Sequence, residues 1–282
     1  MLNKAKSSMG KLFTVVKYEI LNTSRIFVPL YSVLVIVSLL GGFLFYGENS
    51  LPILNGHYTM NINGVETVKT INGMGFLFGS VFIILTTVAF AITLFLLISR
   101  FSKSMLGDEA YLNMTLPLTL GQQIWGRVIC SFLWVISCST IISLTSAFIH
   151  FRKKGTTLFN INYSDFAARF AEYYGINFIW MIISLLVTVI CLIMTFILFG
   201  FFISALSHLF KKHRGITKIF MSVILFIVYC NILRYVFSSI DYKAVSCAPM
   251  VITWTLTGIN TVFSLIYIFT TQFILATKLN LE

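Results

Sequence analysis

The sequence predicts an all-α membrane protein with six transmembrane helices, and three observations lead to this prediction. The first is a set of six apolar segments of about twenty residues or more, the length that a helix needs to cross a bilayer. The second is a composition of 58% hydrophobic and only 10% charged residues, whereas soluble domains carry about a quarter charged residues. The third is that the apolar runs are continuous rather than alternating, which excludes a membrane β-barrel.

No Asp, Glu, Lys or Arg lies within the predicted spans, apart from Arg234 near the end of the fifth. Pumps and antiporters driven by protons usually carry ionisable groups inside the membrane. Spans without such groups indicate a protein that is passive or that takes its energy from elsewhere. The spans are predicted at about 26–46, 76–99, 128–149, 176–207, 219–237 and 249–277.

Basic residues set the predicted orientation. The chain has 20 Lys and Arg against 9 Asp and Glu, and in membrane proteins the basic residues collect beside the spans on the cytosolic face. Six spans place both termini on one side, and that side holds more of the basic residues, so we predict cytosolic termini. The group Arg152, Lys153 and Lys154 runs against this rule. Nucleic-acid binding is not expected, because no extended soluble basic domain is present to carry it.

Residues 1–25 form the predicted cytosolic N-terminus, and 26–282 form the membrane domain. Positions 9–22 have the pattern of an amphipathic helix that lies at the lipid headgroups. Pro29 follows, where it would mark the bend from the surface into the membrane. The alternative is an extension of the first span with no function of its own. The residues assigned to this interface helix are Leu12, Phe13, Val16, Lys17 and Ile20.

Two segments between spans have predicted structure of their own. In the first external loop, 57–60 and 65–70 are expected to pair as a small hairpin about the Asn-Gly pair between them. Between the third and fourth spans, a short helix is expected over 166–173, capped by Ser164 or Asp165.

The loop between the second and third spans carries the most specific pattern. Asp108 and Glu109 stand where a short helix would begin, which suits the helix dipole, and Pro117 would end it. Thr119, with Gln122 three residues later, has the spacing of a capping box for the next helix. A short, partly apolar helix on the cytosolic face must pack on the membrane domain or on a partner. Packing against the protein's own cytosolic ends is the simpler alternative.

The stretch Leu-Gly-Asp-Glu-Ala-Tyr-Leu-Asn-Met-Thr-Leu-Pro-Leu-Thr at 106–119, followed by Gln122 and Trp125, resembles the membrane subunits of bacterial ATP-binding-cassette exporters of the type-two permease class. The ending at 276–282 is similar to theirs, and the six spans with an amphipathic leader extend the resemblance over essentially the whole chain. The importer class carries Glu-Ala-Ala with a Gly at a set distance, and that pattern is absent, since Tyr111 follows Glu109-Ala110.

This resemblance implies the permease subunit of an ATP-driven exporter in a bacterial cell membrane. Two membrane subunits, as a homodimer or a heterodimer, would pair with two cytosolic ATPase subunits that bind ATP and Mg. The helix at 105–115 would couple the two parts, and the substrate would be amphipathic: an antimicrobial peptide, a drug or a lipid. The residues assigned to coupling are Leu106, Gly107, Asp108, Glu109, Ala110, Tyr111, Leu112 and Pro117.

No catalytic, metal or cofactor site is predicted in this chain. A Gly-rich phosphate loop ending in Gly-Lys-Ser/Thr does not occur, so another polypeptide would hydrolyse ATP. The third span is rich in hydroxyls, for which helix packing is the simpler interpretation and a substrate path the other. The candidate path residues are Ser137, Thr140, Ser143 and Asn231.

Two other functions fit the sequence. A passive channel would need no ATPase, and a membrane scaffold or immunity protein would bind its target without transporting it. The long fourth span is expected to tilt, to bend near Gly200 or to project into the cytosol. The start of the sixth span, 249–257, is a candidate for a separate re-entrant helix, as in the permease class, with the break at Gly258.

Overall fold

The computed structural model describes residues 2–46, 55–62, 65–107, 110, 118–154, 163–210, 214–239 and 248–277. Seven helices and one two-stranded sheet lie within these ranges. The helices are α1 (Leu2–Phe45), α2 (Gly73–Leu106), α3 (Leu120–Lys154), α4 (Tyr163–Tyr174), α5 (Phe178–Ser207), α6 (Arg214–Ser239) and α7 (Ala248–Thr277), and the strands are β1 (Asn55–Ile62) and β2 (Val65–Asn72).

Six of these helices are long and apolar enough to cross a membrane, which makes the chain a multi-pass membrane protein. The spans are Leu12–Phe45, Gly73–Leu106, Leu120–Arg152, Phe178–Ser207, Gly215–Ser239 and Pro249–Thr277. All six predicted spans are confirmed. Most of the helices are longer than the predicted segments, because polar and charged residues extend them beyond the apolar core.

The N-terminal segment and the first span are one continuous helix. α1 runs from Leu2 to Phe45 with Pro29 inside it, so the structure has no separate surface helix ending at a bend. Pro29 has no backbone N–H and so removes one hydrogen bond of the helix, but the residues on both sides of it are helical. By its internal contacts the chain forms two compact units, and α1 contributes to both: 1–21 belong to the first unit and 22–45 to the second.

Both predicted elements between spans are present. β1 and β2 pair antiparallel, with Ile62 opposite Val65, which confirms the hairpin; the Asn-Gly pair at its turn lies outside the described residues. α4 begins at Tyr163, so Ser164 and Asp165 lie in its first turn instead of capping it. It ends at Tyr174, and the next residue, Gly175, has a φ of +66°, the left-handed conformation that closes many helices and that glycine adopts without strain.

The fourth and sixth spans are unbroken. α5 continues through Gly200, where the Ile98 side chain of α2 packs so close that an added Cβ would clash with it. This glycine therefore permits close helix approach and does not mark an interruption of α5. α7 continues through Gly258, so the prediction of a separate re-entrant helix at 249–257 is wrong.

The first unit comprises 1–21, 94–133 and 162–282, and a ladder of hydroxyls joins α5 to α7 within it. Thr188 Oγ1 lies 2.9 Å from Thr257 Oγ1 and donates to the Thr253 carbonyl at 3.1 Å. Two turns along, Thr195 Oγ1 lies 2.9 Å from Ser264 Oγ and donates to the Asn260 carbonyl at 3.1 Å. Because lipid offers no hydrogen-bond partners, such pairs hold the two helices in one register.

The second unit comprises 22–93 and 134–161. Within this unit, Arg152 caps the C-terminal end of α1. Its guanidinium donates to the carbonyls of Gly42 at 3.4 Å and Tyr46 at 3.1 Å, and it lies 5.0 Å from the centre of the Phe43 ring. A cation at a helix C-terminus is favourable, because the last carbonyls lack partners inside the helix. The structure therefore gives a local role to Arg152, one of the three basic residues that depart from the charge rule.

Candidate functional site: a charged junction beside the 107–118 loop

The end of α2 and the start of α3 meet α1 at Glu19, beside the loop that joins α2 to α3. Glu19 Oε2 lies 3.1 Å from Arg100 Nε on α2, and Glu19 Oε1 lies 3.4 Å from Arg127 Nε on α3. One carboxylate thus bridges two guanidinium groups. The side chain of Glu19 is 16% exposed and that of Arg127 is 9% exposed, so water screens these contacts weakly.

Arg127 is the most enclosed member of this junction. Its Nε donates to Ser104 Oγ at 2.9 Å, and its Nη1 donates to the Gln123 carbonyl at 3.2 Å. A buried guanidinium is stable only when its charge is paired and its donors have acceptors. Glu19 supplies the charge, and Ser104 joins the last turn of α2 to the first turns of α3. The junction therefore fixes both ends of the 107–118 loop to α1.

A small residue allows α1 to reach this position. Gly126 on α3 faces Val15, and a Cβ added to Gly126 would lie 2.8 Å from Val15 Cγ1. Val16, on the next position of α1, is 8% exposed. Such a close approach between helices needs a residue without a side chain.

The face of α1 that packs in the structure differs in part from the predicted one. Val16 is buried and Leu12 and Ile20 are half-buried, whereas Phe13 is 71% exposed and Lys17 is exposed. The packed stripe is turned toward Glu19, because the ion pairs with α2 and α3 draw that side of the helix inward. Phe13 and Lys17 remain on the outside, where a surface helix presents such side chains to lipid headgroups.

The capping box at the start of α3 is confirmed. The Thr119 N–H donates to Gln122 Oε1 at 3.1 Å, and the Gln122 N–H donates to Thr119 Oγ1 at 3.3 Å. These reciprocal bonds satisfy two backbone donors that a helix start leaves without partners. They place the first residue of α3 at Leu120 and so fix one end of the loop.

At the other end of the loop, most of the predicted helix at 105–115 lies outside the described residues. Leu106 is the last residue of α2. The Gly107 N–H donates to the Lys103 carbonyl at 3.2 Å, and the N–H of Ala110, which is helical, donates to the Gly107 carbonyl at 2.9 Å. Leu106 and Ala110 are 7% and 1% exposed, so these two assigned residues anchor the loop on its own chain. The other assigned residues lie outside the described part of the chain: Asp108, Glu109, Tyr111, Leu112 and Pro117.

An aromatic contact ties the end of α2 to α5. The rings of Phe101 and Phe201 stack with centroids 3.9 Å apart and an angle of 8° between their planes. Both residues are 1% exposed, and Met105, one turn further along α2, is fully buried. Because protein interiors are close-packed, a displacement of the end of α2 would be passed to α5.

The candidate path residues are not brought together. Thr140 is exposed and donates to its own helix at the Ile136 carbonyl, and Ser143 is exposed while Ser137 is half-buried. Asn231, on α6, is exposed and donates to the Ile227 carbonyl. Hydroxyls meet instead in the α5–α7 ladder. Their spacing in each helix, 184, 188 and 195 against 253, 257 and 264, is a signal available in the sequence.

Glu19 is the functional candidate that the sequence pattern missed. It lies within the amphipathic segment at 9–22, next to Ile20 of the predicted interface helix. The chain has only 9 acidic residues. An acidic residue among apolar positions of a helix therefore predicts a basic partner elsewhere in the chain. Its partners lie 81 and 108 positions further along the chain and cannot be identified from spacing alone.

Comparison with known proteins adds no relative. No family model matches the sequence, and no curated protein or solved structure is similar to it.

Proposed function

We propose that this chain is the permease subunit of an ATP-driven exporter of the ATP-binding-cassette type-two class. In this proposal two membrane subunits pair with two cytosolic ATPase subunits in a bacterial cell membrane. The loop at 107–118 docks on the ATPase, and the membrane helices carry an amphipathic substrate out of the cytosol or the inner leaflet. The substrate is an antimicrobial peptide, a drug or a lipid, as the resemblance of 106–119 implies.

The observation that carries the proposal is the fixation of both ends of this loop by one charged junction. Arg127 at the start of α3 and Arg100 near the end of α2 share the carboxylate of Glu19. A force applied to the loop therefore reaches three helices at once, instead of being absorbed by a free hinge. A loop that transmits the movement of a partner needs such rigid attachment.

The spans support an external energy source. Within the six predicted apolar cores the sequence has no carboxylate or amine to carry protons, apart from Arg234 at one end. The polar groups that meet inside the described bundle are hydroxyls and amides, such as Thr188, Thr257 and Asn260. These groups position helices and do not change charge near neutral pH. Transport against a gradient would therefore draw on another polypeptide.

Co-purification with an ATPase tests the proposal. The tagged chain is co-expressed with the ATPase encoded beside its gene, purified in mild detergent and assayed for retained ATPase and ATP hydrolysis. We expect wild-type protein to retain the ATPase and the triple variant Asp108→Ala, Glu109→Ala, Tyr111→Ala to lose most of it. The matched control is Glu172→Ala, Tyr173→Ala, which removes one carboxylate and one tyrosine from exposed positions of α4.

The outcomes distinguish docking of an ATPase at the loop from the other functions. Loss of the ATPase in the triple variant but not in the control supports docking at the loop. Equal retention by wild-type protein, triple variant and control would contradict it. A purified chain that retains no ATPase but conducts ions in a planar bilayer would favour the passive channel.

A further inference from the structure

α6 is the least enclosed of the six spans. No residue in its most apolar stretch is buried, whereas 22–33% of the corresponding stretch is buried in each of the other five spans. One side of α6 meets α5 and α7, and its Tyr229 hydroxyl donates to Asn260 Oδ1 on α7 at 2.9 Å. The residues on that side, such as Leu225 and Leu233, are half-buried.

The opposite side of α6 is a continuous exposed stripe at helical spacing. Its members recur at intervals of three and four residues, and most are large and apolar. We call it the outer stripe of α6, and its residues are Phe220, Val223, Ile227, Asn231 and Arg234. Lipid chains can cover apolar side chains, so exposure of Val223 or Ile227 alone calls for no partner.

Asn231 is the exception on this stripe, because lipid cannot satisfy an amide. It lies eight residues before the end of α6, about 12 Å along the helix axis, and is flanked by apolar side chains. Its Nδ2 donates to the Ile227 carbonyl at 2.8 Å. Among the described residues, none donates to its Oδ1. An acceptor and a second N–H therefore face outward from a membrane helix.

We propose that the outer stripe of α6 binds the same stripe of a second copy of this chain, with the two Asn231 amides hydrogen-bonded to each other. An amide is self-complementary, since each one carries both a donor and an acceptor. Two parallel helices related by a two-fold axis bring the same residue of each copy together. Reciprocal Nδ2–H···Oδ1 bonds then satisfy both amides, and asparagine pairs of this kind drive association of membrane helices.

The remaining residues of the stripe suit this arrangement. Val223 and Ile227 supply apolar contact on the side of Asn231 nearer the start of α6. Arg234 lies one turn nearer the end of α6, where its long side chain can extend to lipid phosphates and so keep two like charges apart. Cys230, a free and exposed thiol beside Asn231, would lie near its counterpart in the second copy.

The pairing deepens the proposed function, on which it rests for the expectation of two membrane subunits, and it selects the homodimer. It is tested without any ATPase. If the copies pair but no ATPase binds, the exporter proposal fails alone. If an ATPase binds but α6 does not pair, the inference fails alone.

Cross-linking in native membranes provides the test. Two copies carrying different tags are co-expressed and treated with a short bismaleimide. We expect wild-type protein to give a product of dimer mass that carries both tags. Cys230→Ser should abolish it, and Cys230→Ser with Ile227→Cys, on the stripe, should restore it. The matched control is Cys230→Ser with Val228→Cys, which is exposed at the same depth but lies off the stripe.

The amide itself is tested by Asn231→Leu, with Asn231→Gln as the conservative variant. We expect Asn231→Leu to weaken dimerisation about tenfold, measured by energy transfer between labelled copies on dilution into lipid, and Asn231→Gln to retain it. No cross-link in wild-type protein, or equal cross-linking from positions 227 and 228, would overturn the pairing. Labelling of Asn231→Cys by a membrane-impermeant thiol reagent would also overturn it, because the side chain would then face water.

Discussion

Glu19 on α1 accepts a hydrogen bond from Arg100 on α2 at 3.1 Å, across 81 positions of sequence. The same carboxylate also pairs with Arg127 on α3. This single acidic side chain therefore joins α1 to the end of α2 and the start of α3, beside the loop that we propose as the ATPase docking site.

Removal of the Glu19 charge should destabilise the first unit. In Glu19→Gln, the Arg127 guanidinium stays enclosed with its hydrogen bonds to Ser104 and Gln123 but without a carboxylate, and we expect a loss of about 2 kcal/mol. Thermal unfolding of the purified protein in lipid nanodiscs measures this loss. Glu172→Gln, at an exposed position of α4, serves as the control and should leave the midpoint unchanged. Equal midpoints for Glu19→Gln and the control would contradict the assignment.

Arg100 and Arg127 should differ in their coupling energy with Glu19. The distances of 3.1 and 3.4 Å from Glu19 change the Coulomb energy by only about a tenth, whereas burial changes the effective dielectric several-fold. The Arg100 side chain is 28% exposed and that of Arg127 is 9% exposed, so burial decides. Double-mutant cycles of Glu19→Gln with Arg127→Gln or Arg100→Gln should give the larger coupling energy for Arg127. Salt should weaken the Arg100 coupling more, and a larger coupling for Arg100 would refute this ranking.

The predictable part of the fold is the part set by local composition. Six spans, the hairpin, the α4 helix and the Thr119–Gln122 capping box follow from apolar length, turn residues and cap spacing. The continuity of α1 through Pro29 and of α7 through Gly258 does not, because neighbouring elements can hold a helix together where local propensity would break it. The helix predicted at 105–115 stays a prediction, because most of its residues lie outside the described part of the chain; its first two positions, Met105 and Leu106, belong to α2.

Gly126 should be sensitive to the smallest enlargement. Gly126→Ala places a Cβ 2.8 Å from Val15 Cγ1, and we expect a cost of about 1–2 kcal/mol as α1 or the Val15 side chain shifts. Val15→Ala should recover part of the loss in the double variant, since it removes the obstructing methyl groups. Unfolding midpoints of the two single variants and the double variant provide the measurement. Simple additivity of the two losses would indicate that the residues do not contact each other.

An isosteric substitution in the hydroxyl ladder between α5 and α7 should lower the stability of the protein. Thr188→Val keeps the shape but removes the bonds to the Thr253 carbonyl and to Thr257 Oγ1, and we expect a loss of about 0.6–1 kcal/mol. Thr140→Val is the control, because Thr140 is exposed and bonds only to its own helix. Chemical unfolding in mixed micelles compares the two. A loss of stability in Thr140→Val that equals or exceeds the loss in Thr188→Val would contradict a stabilising role of the ladder.

The charged junction was only partly accessible from sequence. The capping box is a local pattern, and the sequence predicts it. The ion pairs of Glu19 cannot be predicted in this way, because they join positions that only the folded bundle brings together. The candidate path residues show the same limit: Thr140 and Ser143 are exposed, whereas hydroxyls of α5 and α7 meet in the ladder.

Photo-cross-linking from the loop tests the central claim most directly. A photoreactive phenylalanine replaces Tyr111 in the loop, or Tyr173 on α4 as the matched control, and living cells are irradiated. We expect position 111 to capture a polypeptide whose sequence, identified by mass spectrometry, contains a phosphate-binding loop ending in Gly-Lys-Ser/Thr. Position 173 should not capture it. Failure of position 111 to capture any such ATPase, or equal capture from position 173, would contradict the account.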